Sequence, residues 1–141
     1  MPPMSVPVEV LKQVPLFRGL SDKVLKTLAN SFTERSFKAG QQLTAEGQGA
    51  AGFFVIESGE AAVTVDGEVR RTLGQGDYYG EVALIDGGSR TATITASSDG
   101  RSYGLTPWQF RPLVEENAAI AWPLLEAMAA RVRELEAHKA T

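Results

Sequence analysis

The chain contains no cysteine and only one histidine, His138. Without cysteine there can be no disulfide, thiolate zinc site, cysteine-ligated iron–sulfur cluster or thiol nucleophile. Transition-metal sites gather several imidazoles or thiolates, so one histidine near the C-terminus argues against a metalloenzyme. The same shortage removes Ser-His-Asp and Cys-His pairs from the interior, and no catalytic residue or metal site is expected. Positive charge is also in deficit. The 14 Lys and Arg against 17 Asp and Glu leave a net charge of −3, unlike the basic surface that binds nucleic acid. No apolar run approaches the ~20 residues that span a bilayer. Met1-Pro2-Pro3-Met4 lacks the basic and apolar regions of a signal peptide. The expectation is a cytoplasmic protein with neither membrane nor DNA as partner.

What is present suits one globular domain. The 43% hydrophobic and 22% charged residues are near average for a soluble protein. At 141 residues, about two-thirds of the unfolded surface can be buried. Residues 1–141 therefore read as a single domain, with its core at about 8–136.

Three zones follow one another. Residues 7–32 have helical periodicity, with Ser21 and Asp22 ahead of Val24, Leu25 and Leu28 as a capped amphipathic helix. Pro15 and Gly19 punctuate the stretch before it, which predicts two short helices around that turn. Residues 35–106 are strand-like. Short β-branched and aromatic runs such as Phe53-Phe54-Val55-Ile56 recur between glycines, as in a sandwich or barrel. Asp66-Gly67 favours the positive φ angles of a two-residue hairpin turn. Residues 106–137 return to helix. Thr106 with Pro107 opens one helix, and Pro123 is expected to mark a break or the first turn of the last. Leu124, Leu125, Met128, Val132 and Leu135 form one apolar stripe at three- and four-residue spacings. Trp108, Phe110, Trp122 and Met128 are expected in the core.

The stretch that carries chemistry is Gly80-Glu81-Val82-Ala83-Leu84-Ile85-Asp86-Gly87-Gly88-Ser89-Arg90-Thr91-Ala92. A glycine permits close backbone approach, a short apolar helix presents free amides, and a glycine-rich turn delivers an arginine. Backbone amides and a guanidinium fork together suit a phosphate-like anion. Glu81 cannot assist by charge; its carboxylate suits the hydroxyls of a ribose. Taken alone, Glu81 and Arg90 could equally form a surface ion pair worth under ~1 kcal/mol.

That stretch resembles the phosphate-binding cassette of the cyclic-nucleotide-binding domain family. Other segments are similar to family landmarks in the same order: Val14-Pro15-Leu16-Phe17-Arg18-Gly19-Leu20, Phe37-Lys38-Ala39-Gly40, Glu46-Gly47 and Phe54-Val55-Ile56-Glu57-Ser58-Gly59. The resemblance implies a mainly β fold with flanking helices. Specifically, it implies an antiparallel β-roll of the double-stranded β-helix or jelly-roll type, with N-terminal helices, a short cassette helix and two C-terminal helices. It further implies that Glu81 accepts the ribose 2′-hydroxyl, aided by the backbone at Gly80. The amides of Ala83 and Thr91 would donate to the exocyclic phosphate oxygens, Arg90 would neutralise the phosphate, and Leu84 would line the sugar. The nine-residue step from Glu81 to Arg90 is similar to the cassettes of the kinase-type members. A hydroxyl at Thr91 is compatible with either base. The last helix lacks the serine or threonine that reads adenine in the catabolite activators, which leaves Arg131 and Arg133 as candidates for a lid over the base.

The expected function is a stand-alone regulatory module, not an enzyme. It would bind cAMP ahead of cGMP as a ligand, need no cofactor, and signal to an effector protein through its C-terminal helices. It would be a monomer or a weak homodimer through the last helix. The rival readings are a degenerate domain acting as a protein-interaction module and a fragment of a catabolite-activator-type transcription factor. The latter needs a helix-turn-helix unit, which residues 1–141 do not contain.

Overall fold

A computed structural model describes residues 7–44, 52–86 and 92–140. Helix α1 (Val8–Lys12) is followed by a 3-10 turn at Pro15–Phe17 and by α2 (Asp22–Ser31). Eight strands come next, interrupted by one short helix: β1 (Thr33–Phe37), β2 (Gln42–Thr44), β3 (Phe53–Ser58), β4 (Ala61–Val65), β5 (Glu68–Leu73), β6 (Tyr78–Tyr79), α3 (Glu81–Asp86), β7 (Thr93–Ala96) and β8 (Gly100–Leu105). Helices α4 (Pro107–Glu116) and α5 (Ala118–Ala140) close the described chain. The strands form two four-stranded antiparallel sheets, β1-β8-β3-β6 and β2-β7-β4-β5, the expected roll.

Strand β3 shows why the helices stack where they do. All four residues from Phe53 to Ile56 are buried, so both faces of this central strand are covered. Phe53 and Val55 join the helical core with Phe17, Leu28, Phe110 and Ile120. Phe54 and Ile56 point the other way and meet Val63, Leu73, Tyr79 and Ile94 between the sheets. The Phe53 ring stacks on Phe110 at 4.9 Å between centroids, tying α4 to the first sheet.

Local signals act where the sequence places them. Asp66 and Gly67 have φ of 51° and 80°, the left-handed pair that a two-residue hairpin between β4 and β5 requires. The Ser21 hydroxyl accepts the Val24 amide proton at 3.3 Å and caps α2. Ser21→Ala should therefore cost about 0.5–1 kcal/mol in a denaturant titration, at the low end for an exposed cap.

The C-terminal helices depart from expectation twice. The break falls at Asn117, not Pro123: Asn117 has φ −131° and ψ 92°, and its carbonyl accepts from Ile120 and Ala121 to begin α5. Pro123 lies inside α5 and, lacking an N–H, cannot donate to the Ala119 carbonyl one turn back; Ala119 is exposed, so water can take that place. The two tryptophans are not core residues, being 76% (Trp108) and 65% (Trp122) exposed. Each stands two residues before a buried partner, Phe110 or Leu124, and two residues on an α-helix is about half a turn. Of the expected stripe only Leu124 is buried, whereas Leu125, Val132 and Leu135 face outward.

Candidate functional site

The inter-sheet core opens at one end. There Val63, Tyr79 and Ile94 continue from the core as walls of a cavity of about 400 Å³. Gly80 follows β6 with φ of 98°, a left-handed conformation that turns the chain into α3. That turn places Gly80, Glu81, Val82 and Ala83 along the cavity. Thr44 and Ala92 complete the inner wall, where the Thr44 hydroxyl donates to the Ala92 carbonyl at 3.4 Å.

Glu81 is 3% exposed, an unusual position for a carboxylate. Its partner comes from 50 residues away: Arg131 on α5 donates from Nη1 to Glu81 Oε1 at 2.7 Å, a charge-assisted hydrogen bond. The last helix is thereby tied to the cavity, and Glu134 and Leu135 from its next turn stand at the rim. Arg71 of β5 lines the same space, where the charges of Glu81 and Asp77 act on its guanidinium. Partial burial, then the like charge of Arg131, push its guanidinium below its ordinary value, with Glu81 and Asp77 opposing. Burial first, then Glu81, push the Tyr78 phenol upward, so it stays protonated. Among the described residues, Arg70, Arg71 and Arg131 against Glu81 and Glu134 leave the cavity lining positive by one charge, an environment suited to an anion.

The structure brings Gly80, Glu81 and Ala83 together along one wall and adds Arg131 to them. Leu84 packs against the helical core and is not among the described residues lining the cavity, whereas its neighbour Val82 is. On a one-and-a-half-turn helix the residue after Ala83 is rotated by about 100°, away from the wall. Arg133 is exposed on α5 and outside the cavity lining. Arg90 and Thr91 lie outside the described residues.

Arg71 and Glu134 were not among the residues singled out from sequence. A signal for Arg71 existed in the strand alternation. It stands two residues before Leu73, which faces the inter-sheet core, so both share a face of β5. Glu134 follows Arg131 by three residues, the spacing of neighbours on one helix face.

Among the described residues no helix is long and apolar enough to cross a membrane, and no cluster of three or more potential ligands could hold a metal ion.

The family model described as the cyclic nucleotide-binding domain matches residues 34–117. The chain is similar to the cAMP-dependent protein kinase regulatory subunit of Yarrowia lipolytica, at 42% identity over 90 residues, covering 62% of this chain and 24% of that subunit. It is also similar to the cGMP-dependent protein kinase of Toxoplasma gondii, at 32% identity over 124 residues, covering 88% of this chain and 12% of the kinase. These matches thus span a quarter or less of the curated relatives' lengths. Among solved structures, the regulatory domain of Toxoplasma gondii PKA with cAMP superposes with a TM-score of 0.69 at 31% identity, covering 77% of this chain and 43% of that one.

Proposed function

Because the chain belongs to the cyclic nucleotide-binding domain family, we propose that its cavity holds a 3′,5′-cyclic nucleotide, cAMP ahead of cGMP, and that the domain is regulatory rather than catalytic. The observation that carries this reading is the buried Glu81 carboxylate at the wall of an open cavity, beside Gly80 and Ala83. A carboxylate there suits a sugar hydroxyl, and about 400 Å³ is within the range of small-ligand sites. Glu81 accepts the ribose 2′-hydroxyl with help from the Gly80 backbone. The amides of Ala83 and Thr91 donate to the exocyclic oxygens, and Arg90 pairs with the phosphate charge.

The output runs through α5. Arg131 already holds Glu81, so a ribose hydroxyl arriving at that carboxylate alters the contact that ties the helix to the cavity. A nucleotide that binds one position of α5 better than another shifts the balance by that difference in affinity. The effector is a protein that reads this position. With Leu125 and Val132 exposed along α5, the domain is a monomer or a weak dimer through that helix, measurable as concentration-dependent sedimentation.

Arg71 and Glu134 favour a second reading, in which the ligand is cGMP. Guanine presents two adjacent acceptors, O6 and N7, that match an arginine fork, and its N–H groups can donate to a carboxylate; adenine offers one acceptor and one donor on the same edge. If Arg71 reads the base, Arg71→Gln should reduce the preference for cGMP by about 1–3 kcal/mol, seen as a change in the ratio of the two dissociation constants. Calorimetric titration with both nucleotides tests both readings. No heat with either one overturns the binding assignment and leaves the fold intact.

A further inference from the structure

A second cavity, of about 170 Å³, lies between α1 and the first sheet, away from Glu81 and Arg131. Val10, Val14 and the Tyr103 ring give it apolar walls, and the exposed residues Gln13 and Gln75 stand at its mouth. Glu57 at the end of β3 completes it. The Oε2 atom of Glu57 is shielded from solvent and has no hydrogen-bond partner among the described residues.

Its neighbour Arg101 does not meet that need. The Arg101 Nε stands 2.9 Å from Glu34 Oε1 but 3.7 Å from Glu57 Oε2. One N–H cannot serve both, and 3.7 Å is too long for a hydrogen bond. Two carboxylates share one guanidinium, so the cluster carries a net charge of −1, and Oε2 of Glu57, a residue lining the cavity, is shielded from solvent. A buried charged acceptor left without a donor is costly, which favours any occupant that supplies one. The volume equals about six waters at about 30 Å³ each, or one compact organic ion.

We infer that this cavity is a binding site for a small organic monocation, a primary ammonium or amidinium with a short apolar body. Its N–H donates to Glu57 Oε2, its charge cancels the excess carboxylate, its remaining protons face water at the cavity mouth, and its hydrocarbon packs on Val10, Val14 and the Tyr103 ring. The site is independent of nucleotide binding.

The test uses n-butylammonium and benzamidinium as probes, with n-butanol as the neutral control, followed through the methyl resonances of Val10 and Val14 without nucleotide. Saturable binding of both cations in the millimolar range or tighter is expected, with no comparable binding of butanol. Glu57→Gln should weaken the cations about ten- to a hundredfold, the loss of one charge-assisted hydrogen bond. Absence of saturation by about 10 mM cation overturns the site, as does equal binding of butanol. Equal affinity in Glu57→Gln also overturns it. Should that variant fail to fold, the cation-versus-alcohol comparison on the unaltered protein still decides.

Discussion

With cAMP or cGMP present at about a hundredfold excess over its dissociation constant, the protein should gain about 2.7 kcal/mol of stability, or roughly 8 °C in Tm, and Arg90→Ala should lose most of that gain. The ligand is a monoanion whose charge must be neutralised away from bulk water. Truncating one partner of a desolvated charge pair costs about 2–5 kcal/mol. If the dissociation constant rises about a hundredfold, the same nucleotide concentration then stabilises by only RT ln 2, about 0.4 kcal/mol. The ligand-free Tm should change little. Glu81→Ala should act on the sugar instead of the phosphate. It should weaken binding by about 1.5–3 kcal/mol, and the 2′-deoxy nucleotide should bind it no worse than the ribonucleotide, because the interaction removed from both sides is the same. A Tm unmoved by either nucleotide overturns the ligand assignment. A gain equal in Arg90→Ala and the unaltered protein moves the phosphate contact to another group, with Arg71 the first to test.

Local rules made a hairpin, a helix cap and a short helix readable in advance, the family resemblance implied the roll, and the failures fall where distant parts of the chain meet. The hairpin at Asp66-Gly67, the Ser21 cap and the short helix after Gly80 depend on a few consecutive residues whose conformational preferences are intrinsic. The Glu81–Arg131 contact spans 50 residues, and nothing in either local sequence pairs them. Periodicity identified Trp108 and Trp122 as apolar residues in helices but could not say that Phe110 and Leu124, half a turn further on, hold the core-facing positions. Apolar spacing along α5 likewise continues past Leu124, where the helix meets the open cavity and not the core, so Leu125, Val132 and Leu135 read as core and are exposed. Arg71 was hidden for another reason. A charged residue on a strand is ordinarily assigned to the solvent face, yet the alternation that buries Leu73 turns Arg71 towards the cavity.

Removal of Arg131 should separate ligand binding from its consequence. Breaking a buried ion pair by deleting one partner costs about 3–5 kcal/mol, but the Arg131 side chain is 30% exposed and the cavity is open, so solvent reduces the expected loss for Arg131→Ala to about 1–3 kcal/mol. Arg131→Lys should recover part of that stability, since it keeps the charge while losing the fork geometry. The nucleotide contacts assigned to Arg90, Glu81 and the cassette amides do not require Arg131, so the variant should still bind. What it should lose is the response of α5. In the unaltered protein, nucleotide should change the hydrogen-exchange protection of α5 amides between residues 126 and 137 by about tenfold, equivalent to about 1.4 kcal/mol of altered local stability. In Arg131→Ala that change should shrink towards zero, because the side chain that carries the state of the Glu81 carboxylate to the helix is gone. An unaltered exchange response in a variant that still binds nucleotide would show that α5 senses the ligand by another route. The rim contacts of Glu134 and Leu135 then become the coupling elements to remove next.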